Sequence, residues 1–248
     1  MKTESVSSNR WKSAQKFEKE EWLRSKEIVD LEWKELVEKF TTIFKKIRKT
    51  AGIKSSDSIL DIGCGPTVPA RLFGAGKITG IEPLAKKLKI KVPGVTIVQG
   101  KGESMPFNDS SFSFALCRNA IDHTNDPIKV IEETHRVLKS GGQFLLICYT
   151  YAPFITWIKN FSEKHHFMNN VGHPYTYTPE SLEDLVRGKF KIIKRYTFHT
   201  GQNSTDYGKT GIEIEDTSVI NKALIWINKY IFGSKWFLKE YGFLAIKK

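Results

Sequence analysis

Two glycines that follow a short apolar run form the clearest candidate binding loop in the sequence. The run over 58–62 carries Asp61, and Gly63 and Gly65 come directly after it. Glycine lets a ligand approach the backbone closely, and a helix that starts after the loop would offer free N–H groups to a negative group. A G-x-G pattern alone is equally typical of a tight turn, so both interpretations stay open.

The residues after the loop narrow the class of ligand. A phosphate-binding loop would continue with Lys-Ser or Lys-Thr, whereas Pro66 and Thr67 follow here, which argues against that class. A dinucleotide fingerprint would carry a third glycine where Val68 stands, so a pyrophosphate ligand is disfavoured.

A carboxylate at the end of the next apolar run indicates a binding site for a ribose. Glu82 ends the run over 78–82. It follows Asp61 at about 20 residues, which is the spacing of the acid that accepts ribose hydroxyls in doubly wound sheets. The alternative is a surface glutamate beside the turn-forming Pro83.

Three titratable side chains could exchange a proton with a substrate. Asp122 and His123 follow a predicted strand over 112–117, and His173 precedes a predicted helix. The alternatives are turn and capping chemistry ahead of Pro127 for the first two, and a structural loop histidine for His173.

Strands and helices alternate along the middle of the chain, which predicts a parallel sheet with right-handed crossovers. Helical spacing of apolar residues over 15–50 predicts helices ahead of this region. The predicted strands are 58–62, 77–81, 95–98, 112–117, 143–149, 190–198 and 236–246. The predicted helices are 67–73, 84–90, 127–138, 179–187 and 219–231.

Composition excludes several classes of protein. The chain has 248 residues, 40% of them apolar and 27% charged, which is typical of a globular protein rather than a disordered or collagen-like one. Three cysteines at wide spacings support neither a disulfide framework nor a zinc site, and we expect no metal. The polar first thirty residues predict no secretory signal, and no run is long and apolar enough for a membrane helix, so a cytoplasmic location is expected.

Three further segments carry a resemblance to a known family. They are GKGESMPFNDSSFSF over 100–114, NAIDHTNDP over 119–127 and ETHRVLKSGG over 133–142. Together with the glycine loop over 60–66, they resemble class I S-adenosylmethionine-dependent methyltransferases. The chain is most similar to the ubiquinone/menaquinone-biosynthesis (type 11) group, and the resemblance covers about 57–150.

The resemblance implies an α/β fold with a Rossmann-like, seven-stranded, mostly parallel sheet. Its strand order would be 3-2-1-4-5-7-6 with the last strand antiparallel, N-terminal helices, and a helical insertion before the last strand. The expected division is an N-terminal helical extension over 1–50 and a methyltransferase domain over 51–248. Within that domain, 51–150 would be the cofactor-binding core, and 151–248 would hold the acceptor-side segments and last strands.

The resemblance also implies which residues hold S-adenosyl-L-methionine. Relatives place the methionine part on the glycine loop, the ribose on the acid of the second strand, and the adenine on the loop after the third strand; the turn after the fourth strand lines the amino end. The implied cofactor-binding residues are Asp61, Gly63, Gly65, Glu82, Gly102, Glu103 and Asn119, and the implied catalytic candidates are Asp122, His123 and His173. Relatives often carry an aspartate where this chain has Lys101, which offers only donors to adenine.

The expected function is methyl transfer to a small-molecule or lipid-like acceptor. The net charge of +12 is spread along the chain and carried mostly by lysine, so no nucleic-acid partner is expected, although peripheral contact with a membrane is compatible with it. The alternatives are an RNA-directed methyltransferase, a cofactor-binding protein without catalysis and, more distantly, a nicotinamide oxidoreductase. Nothing in the sequence indicates an oligomeric state.

Overall fold

A seven-stranded mixed sheet lies at the centre of the chain. The computed structural model describes residues 26–151, 174–198 and 239–248, together with Lys12, Lys16, Lys19 and Glu20. The strands are β1 (Ser58–Ile62), β2 (Lys77–Glu82), β3 (Val95–Gln99), β4 (Phe112–Arg118), β5 (Leu138–Thr150), β6 (Phe190–Phe198) and β7 (Lys239–Lys247). Three α-helices of the described residues flank them: α1 (Lys26–Ala51), α2 (Pro127–Val137) and α3 (Pro179–Arg187).

The strands lie in the order β3-β2-β1-β4-β5-β7-β6. The first five pair in parallel, and β7 runs antiparallel to both β5 and β6. This confirms the predicted Rossmann-like class, the strand order and the antiparallel seventh strand. The order reverses between β1 and β4, and the loops after these strands therefore meet at the edge where open α/β sheets bind ligands.

The buried positions of the central strands are mostly apolar because both faces of the sheet are covered. One face packs against α2 and α3 through Val130, Ile131, Leu182 and Val186. The other face packs against α1 through Leu36, Phe40, Phe44 and Ile47, whose spacing places them on one side of the helix. The helix ends just before Gly52, which adopts a φ of 67°.

One of the predicted helices is wrong, and another is shorter than predicted. Within 67–73 the chain forms the 3₁₀ helix Pro69–Phe73, which begins only after Val68 because that residue adopts a φ of 46°. The region over 84–90 forms turns, and Lys89 adopts a φ of 49° that a continuing α-helix does not allow. A short 3₁₀ helix and a series of turns therefore form the connections on the two sides of β2.

The strand β5 begins earlier than predicted. It was predicted over 143–149, but α2 ends at Val137 and Leu138 already pairs with Phe112 of β4. Gly141 and Gly142 lie inside β5, where the register with β4 is irregular.

Side-chain hydrogen bonds cap the first turns of α2 and α3. Asp126 caps α2 by accepting a hydrogen bond from the Lys129 N–H, and Thr178 caps α3 in a reciprocal pair with Ser181. The predicted helix over 219–231 lies outside the described residues, as does the start of the strand predicted over 236–246.

In the described parts of the chain, no helix has the length and apolar character needed to cross a bilayer. Residues 26–151, 174–198 and 239–248 also bring together no group of three or more His, Cys, Asp or Glu side chains that could hold a metal ion.

A buried acid on α3 predicts how the stability of the fold depends on pH. Glu183 accepts hydrogen bonds from Arg195, Arg187 and Tyr241, and Arg195 in particular lowers the pKa of Glu183 from 4.5 to about 2. Because its folded pKa lies below its unfolded value, Glu183 stabilises the fold above pH 4.5, and this contribution is lost as the pH falls from 4.5 through about 2. We expect the free energy of unfolding to fall more steeply over this range in the wild type than in Glu183→Gln.

Urea unfolding of both proteins between pH 7 and the acid limit measures this difference. Parallel curves for the two proteins would contradict the assignment.

Candidate active site

The glycine loop after β1 is held between the loops that follow β2 and β4. The N–H of Gly63 donates to the Ile81 carbonyl at 2.9 Å. Gly63 and Gly65 adopt φ values of 64° and 52°, in the left-handed region that favours glycine. A Cβ added to Gly63 would lie 2.4 Å from the Cβ of Ala120, so the loop packs directly against the residues after β4.

Asp61 fixes the turn that follows the loop. Its side chain is buried, and Oδ2 accepts a hydrogen bond from the Ala70 N–H at 2.8 Å. Burial raises the pKa of Asp61 to about 7, against the opposing effects of the Ala70 hydrogen bond and the charge of Arg118. The structure therefore gives Asp61 a role in shaping the glycine loop.

Glu82 lies at the carboxyl end of β2, next to the same loop. Its Oε2 accepts from the Gly65 N–H at 3.2 Å, and its Oε1 accepts from the Leu84 N–H at 3.0 Å. These bonds hold the carboxylate beside the glycines, at the place predicted for a vicinal diol.

The loop after β3 meets the start of α2. A Cβ on Gly102 would lie 3.1 Å from the Val130 side chain, so this loop packs tightly against α2. Glu103 Oε1 accepts from the N–H groups of Asn125 at 2.7 Å and Asp126 at 3.4 Å. Glu103 therefore ties this loop to the turn before α2, while Lys101 is exposed in a short bridge to Ser104.

Two of the three catalytic candidates lie in the part of the chain that the structure describes. Asp122 and His123 form the 3₁₀ turn Ile121–His123, with His123 Nε2 at 3.8 Å from Asp122 Oδ2. The Asp122 side chain is buried, and its interaction with Cys148 adds to the rise that burial causes in the pKa of that thiol. This buried place favours a structural role for Asp122 in the turn. His173 lies outside the described residues.

The structure shows an acid that sequence reasoning missed. Glu240 of β7 is fully buried, and its Oε1 lies 2.7 Å from Arg118 Nη2. Asn119, with a φ of 48°, donates from Nδ2 to the same oxygen at 3.2 Å. Burial raises the pKa of Glu240, while Arg118 opposes that rise. A glutamate inside an otherwise apolar strand was the available signal, but its partners are more than a hundred residues away in sequence.

The residues at this edge fit S-adenosylmethionine. The Gly65 N–H and the Glu82 carboxylate lie side by side at 3.2 Å, at the edge where open α/β sheets bind ligands. The Oδ1 of Asn119 is buried and has no hydrogen-bond partner in the described chain, so it can accept from a bound amine.

Comparison with known proteins agrees with this geometry. Residues 60–146 match the family described as "Methyltransferase domain". The match agrees with the predicted methyltransferase class over the segment that holds the glycine loop, Glu82 and the residues after β4.

Individual relatives extend the similarity beyond this segment. The uncharacterized methyltransferase YcgJ of Bacillus subtilis is 35% identical over 115 residues, which is 42% of this chain and 45% of the relative. The chain thus spans about half the length of that protein. A demethylmenaquinone methyltransferase of Chlorobaculum tepidum is 29% identical, over 62% of this chain and 70% of the relative.

Solved structures support the fold. The crystal structure of the Bacillus YcgJ protein superposes with a TM-score of 0.60 at 21% identity, covering 83% of this chain and 97% of that one. The geranyl diphosphate C-methyltransferase of Streptomyces coelicolor superposes with a TM-score of 0.55 at 16% identity, covering 84% of this chain and 79% of that one.

Proposed function

We propose that this chain is an S-adenosylmethionine-dependent methyltransferase that acts on a small-molecule or lipid-like acceptor. The observation that carries the proposal is the carboxylate of Glu82 hydrogen-bonded to the Gly65 N–H. The contact places an acid suited to a ribose diol beside a loop whose glycines have positive φ values. Both lie where the strand order of the sheet reverses, and both belong to the segment that matches the methyltransferase family.

The chain's own residues would mainly bind and orient the reactants. The bound cofactor supplies a methyl group that is already activated on a sulfonium, so positioning the acceptor accounts for much of the rate. Glu82 would accept the ribose hydroxyls, the Gly63–Gly65 backbone would contact the methionine part, and the loop at Gly102 would contact adenine. An acceptor that must lose a proton would need a base, for which His123 and His173 are the candidates.

The proposed class of methyl acceptor rests on the charge distribution of this chain and on what similar proteins are named for. Two of the similar proteins are named for a quinone precursor and an isoprenoid diphosphate. The positive charge of this chain is dispersed and carried by 31 lysines against 8 arginines, whereas phosphate recognition favours arginine forks. A cytoplasmic location and the division of the chain at residue 50 stay predictions.

The test is transfer of a labelled methyl group from S-adenosylmethionine to extracts separated into lipid, glycan, RNA, protein and small-metabolite fractions. Label in the lipid or small-metabolite fraction, strongly reduced with Glu82→Ala, is the expected result. Label in RNA, persisting with tight RNA binding between about 50 and 200 mM salt, would overturn the acceptor assignment. Binding of S-adenosylmethionine without transfer to any fraction, or binding of NAD in its place, would overturn the enzymatic proposal.

We expect position 101 to offer adenine no hydrogen-bond acceptor, because the side chain of Lys101 can only donate. Because Glu103 already accepts two backbone hydrogen bonds, an aspartate at position 101 would supply the acceptor that relatives carry. We expect Lys101→Asp to tighten S-adenosylmethionine binding by up to about tenfold, which corresponds to one added hydrogen bond. Isothermal titration calorimetry measures this change.

Lys101→Ala is the control, because it removes the positive charge without adding an acceptor. Equal affinities for the two variants would contradict the adenine assignment.

A further inference from the structure

A buried polar cluster lies at the carboxyl end of β4. It consists of Arg118 and Asn119, which end and follow β4, and Glu240 of β7. The Arg118 side chain is 10% exposed and that of Glu240 is 0% exposed, with 2.7 Å between their charged atoms. The ring of Phe40 on α1 covers the guanidinium, whose Cζ lies 4.5 Å from the ring centroid.

Each of the three side chains keeps a polar atom that has no hydrogen-bond partner in the described chain. These atoms are Arg118 Nε, Asn119 Oδ1 and Glu240 Oε2. Buried polar atoms normally have partners, because leaving them unpaired is costly. One N–H donor beside two acceptor oxygens complements a group that carries both an anion and an ammonium.

The order of the sheet places this cluster at one end of the proposed cofactor. The strands run β3-β2-β1-β4, with the proposed adenine loop after β3 and the ribose acid Glu82 at the end of β2. A ligand that extends along this edge from adenine through ribose reaches β4 with its remaining end. There Ala120, the residue after Asn119, packs against Gly63, because its Cβ lies 2.4 Å from the place that a Cβ on Gly63 would take.

We propose that Glu240 binds the α-amino-acid head of S-adenosylmethionine together with Arg118 and Asn119. Its Oε1 orients these two side chains, so that the Arg118 Nε–H donates to the ligand carboxylate, and Asn119 Oδ1 and Glu240 Oε2 accept from the ligand ammonium. This proposal rests on the proposed function, and it assigns a ligand-directed role to a residue of the last described strand.

Two ligands that differ only at the amino-acid head test the assignment. S-adenosylhomocysteine carries the head, whereas 5′-methylthioadenosine carries the adenosine and the thioether without it. We expect Glu240→Gln to weaken binding of S-adenosylhomocysteine on the order of tenfold or more, the effect of losing a charge-assisted hydrogen bond. Binding of 5′-methylthioadenosine should change by less than about twofold, since its groups lie away from the cluster.

Glu183→Gln is the matched control, because Glu183 is also a buried acid paired with an arginine but lies on α3. It should lower thermal stability without changing the ratio of the two dissociation constants. Arg118→Lys keeps the charge and loses the guanidinium Nε, so it should repeat the selective loss of S-adenosylhomocysteine binding.

Three results would overturn the inference. One is equal weakening of both ligands in Glu240→Gln and in Arg118→Lys, which would indicate a purely structural pair. Another is unchanged binding of both ligands with impaired methyl transfer, which would assign the cluster to the acceptor. If the wild type binds neither ligand, the proposed function fails first and this inference fails with it.

Discussion

Replacing Glu82 with alanine is expected to weaken S-adenosylmethionine binding by about 1.5–3 kcal/mol, the usual effect of losing an acceptor in a charge-assisted hydrogen bond. The side chain lies at the tip of β2, so the sheet should stay folded. Part of the effect should come from the glycine loop, since the alanine variant also removes the acceptor for the Gly65 and Leu84 N–H groups.

Calorimetry with S-adenosylmethionine measures the affinity, and urea unfolding measures the accompanying loss of stability. Glu82→Gln keeps the size of the side chain and one acceptor oxygen. We therefore expect it to weaken S-adenosylmethionine binding while destabilising the glycine loop less than Glu82→Ala does. Glu132→Ala, at an exposed acid of α2, should change neither quantity. Unchanged affinity in a folded Glu82→Ala protein would show that the ribose site lies elsewhere.

The second large effect is expected from Gly63→Ala. A φ of 64° costs an L-residue about 1–2 kcal/mol, and the added Cβ would lie 2.4 Å from the Ala120 Cβ. Overpacking of this kind adds about 1–3 kcal/mol. We therefore expect the free energy of unfolding to fall by about 2–5 kcal/mol, with S-adenosylmethionine affinity reduced as the loop shifts.

The chain offers a matched control for this variant. Gly52 has a φ of 67°, and no atom lies within 4 Å of the position its Cβ would take. Gly52→Ala should therefore show only the backbone cost, about 1–2 kcal/mol. The double variant Gly63→Ala/Ala120→Gly should recover the steric part of the loss, because it removes the opposing Cβ. A double variant no more stable than Gly63→Ala would mean that contact with Ala120 does not limit this position.

The sheet could be predicted from sequence because its strands are short segments rich in apolar and β-branched residues that end at turn-forming glycine or proline, as the segments ending at Ile62 and Glu82 do. The connections were harder to predict. Leu84 and Leu88 have helical spacing, but left-handed Lys89 shows that local backbone geometry outweighs a weak periodicity over seven residues.

The same distinction between local and long-range contacts applies to the candidate site. Gly63, Gly65 and Glu82 lie within one stretch of chain, so their spacing predicted that they would meet. The contact between Arg118 and Glu240 depends on where β7 enters the sheet, and no local pattern encodes that. The buried place of Asp122 also depends on tertiary packing, since the sequence around it is equally typical of an exposed turn.

The placement of β7 has a consequence for how the protein is made. β7 lies between β5 and β6, although both precede it in the chain, and among the described strands β6 pairs with β7 alone. During synthesis, β6 can join the sheet only after Lys239–Lys247 has left the ribosome, and until then the edge of β5 is open to pairing with other chains. Because Glu240 belongs to the same strand, one late folding step both closes that edge and completes the Arg118–Asn119–Glu240 cluster.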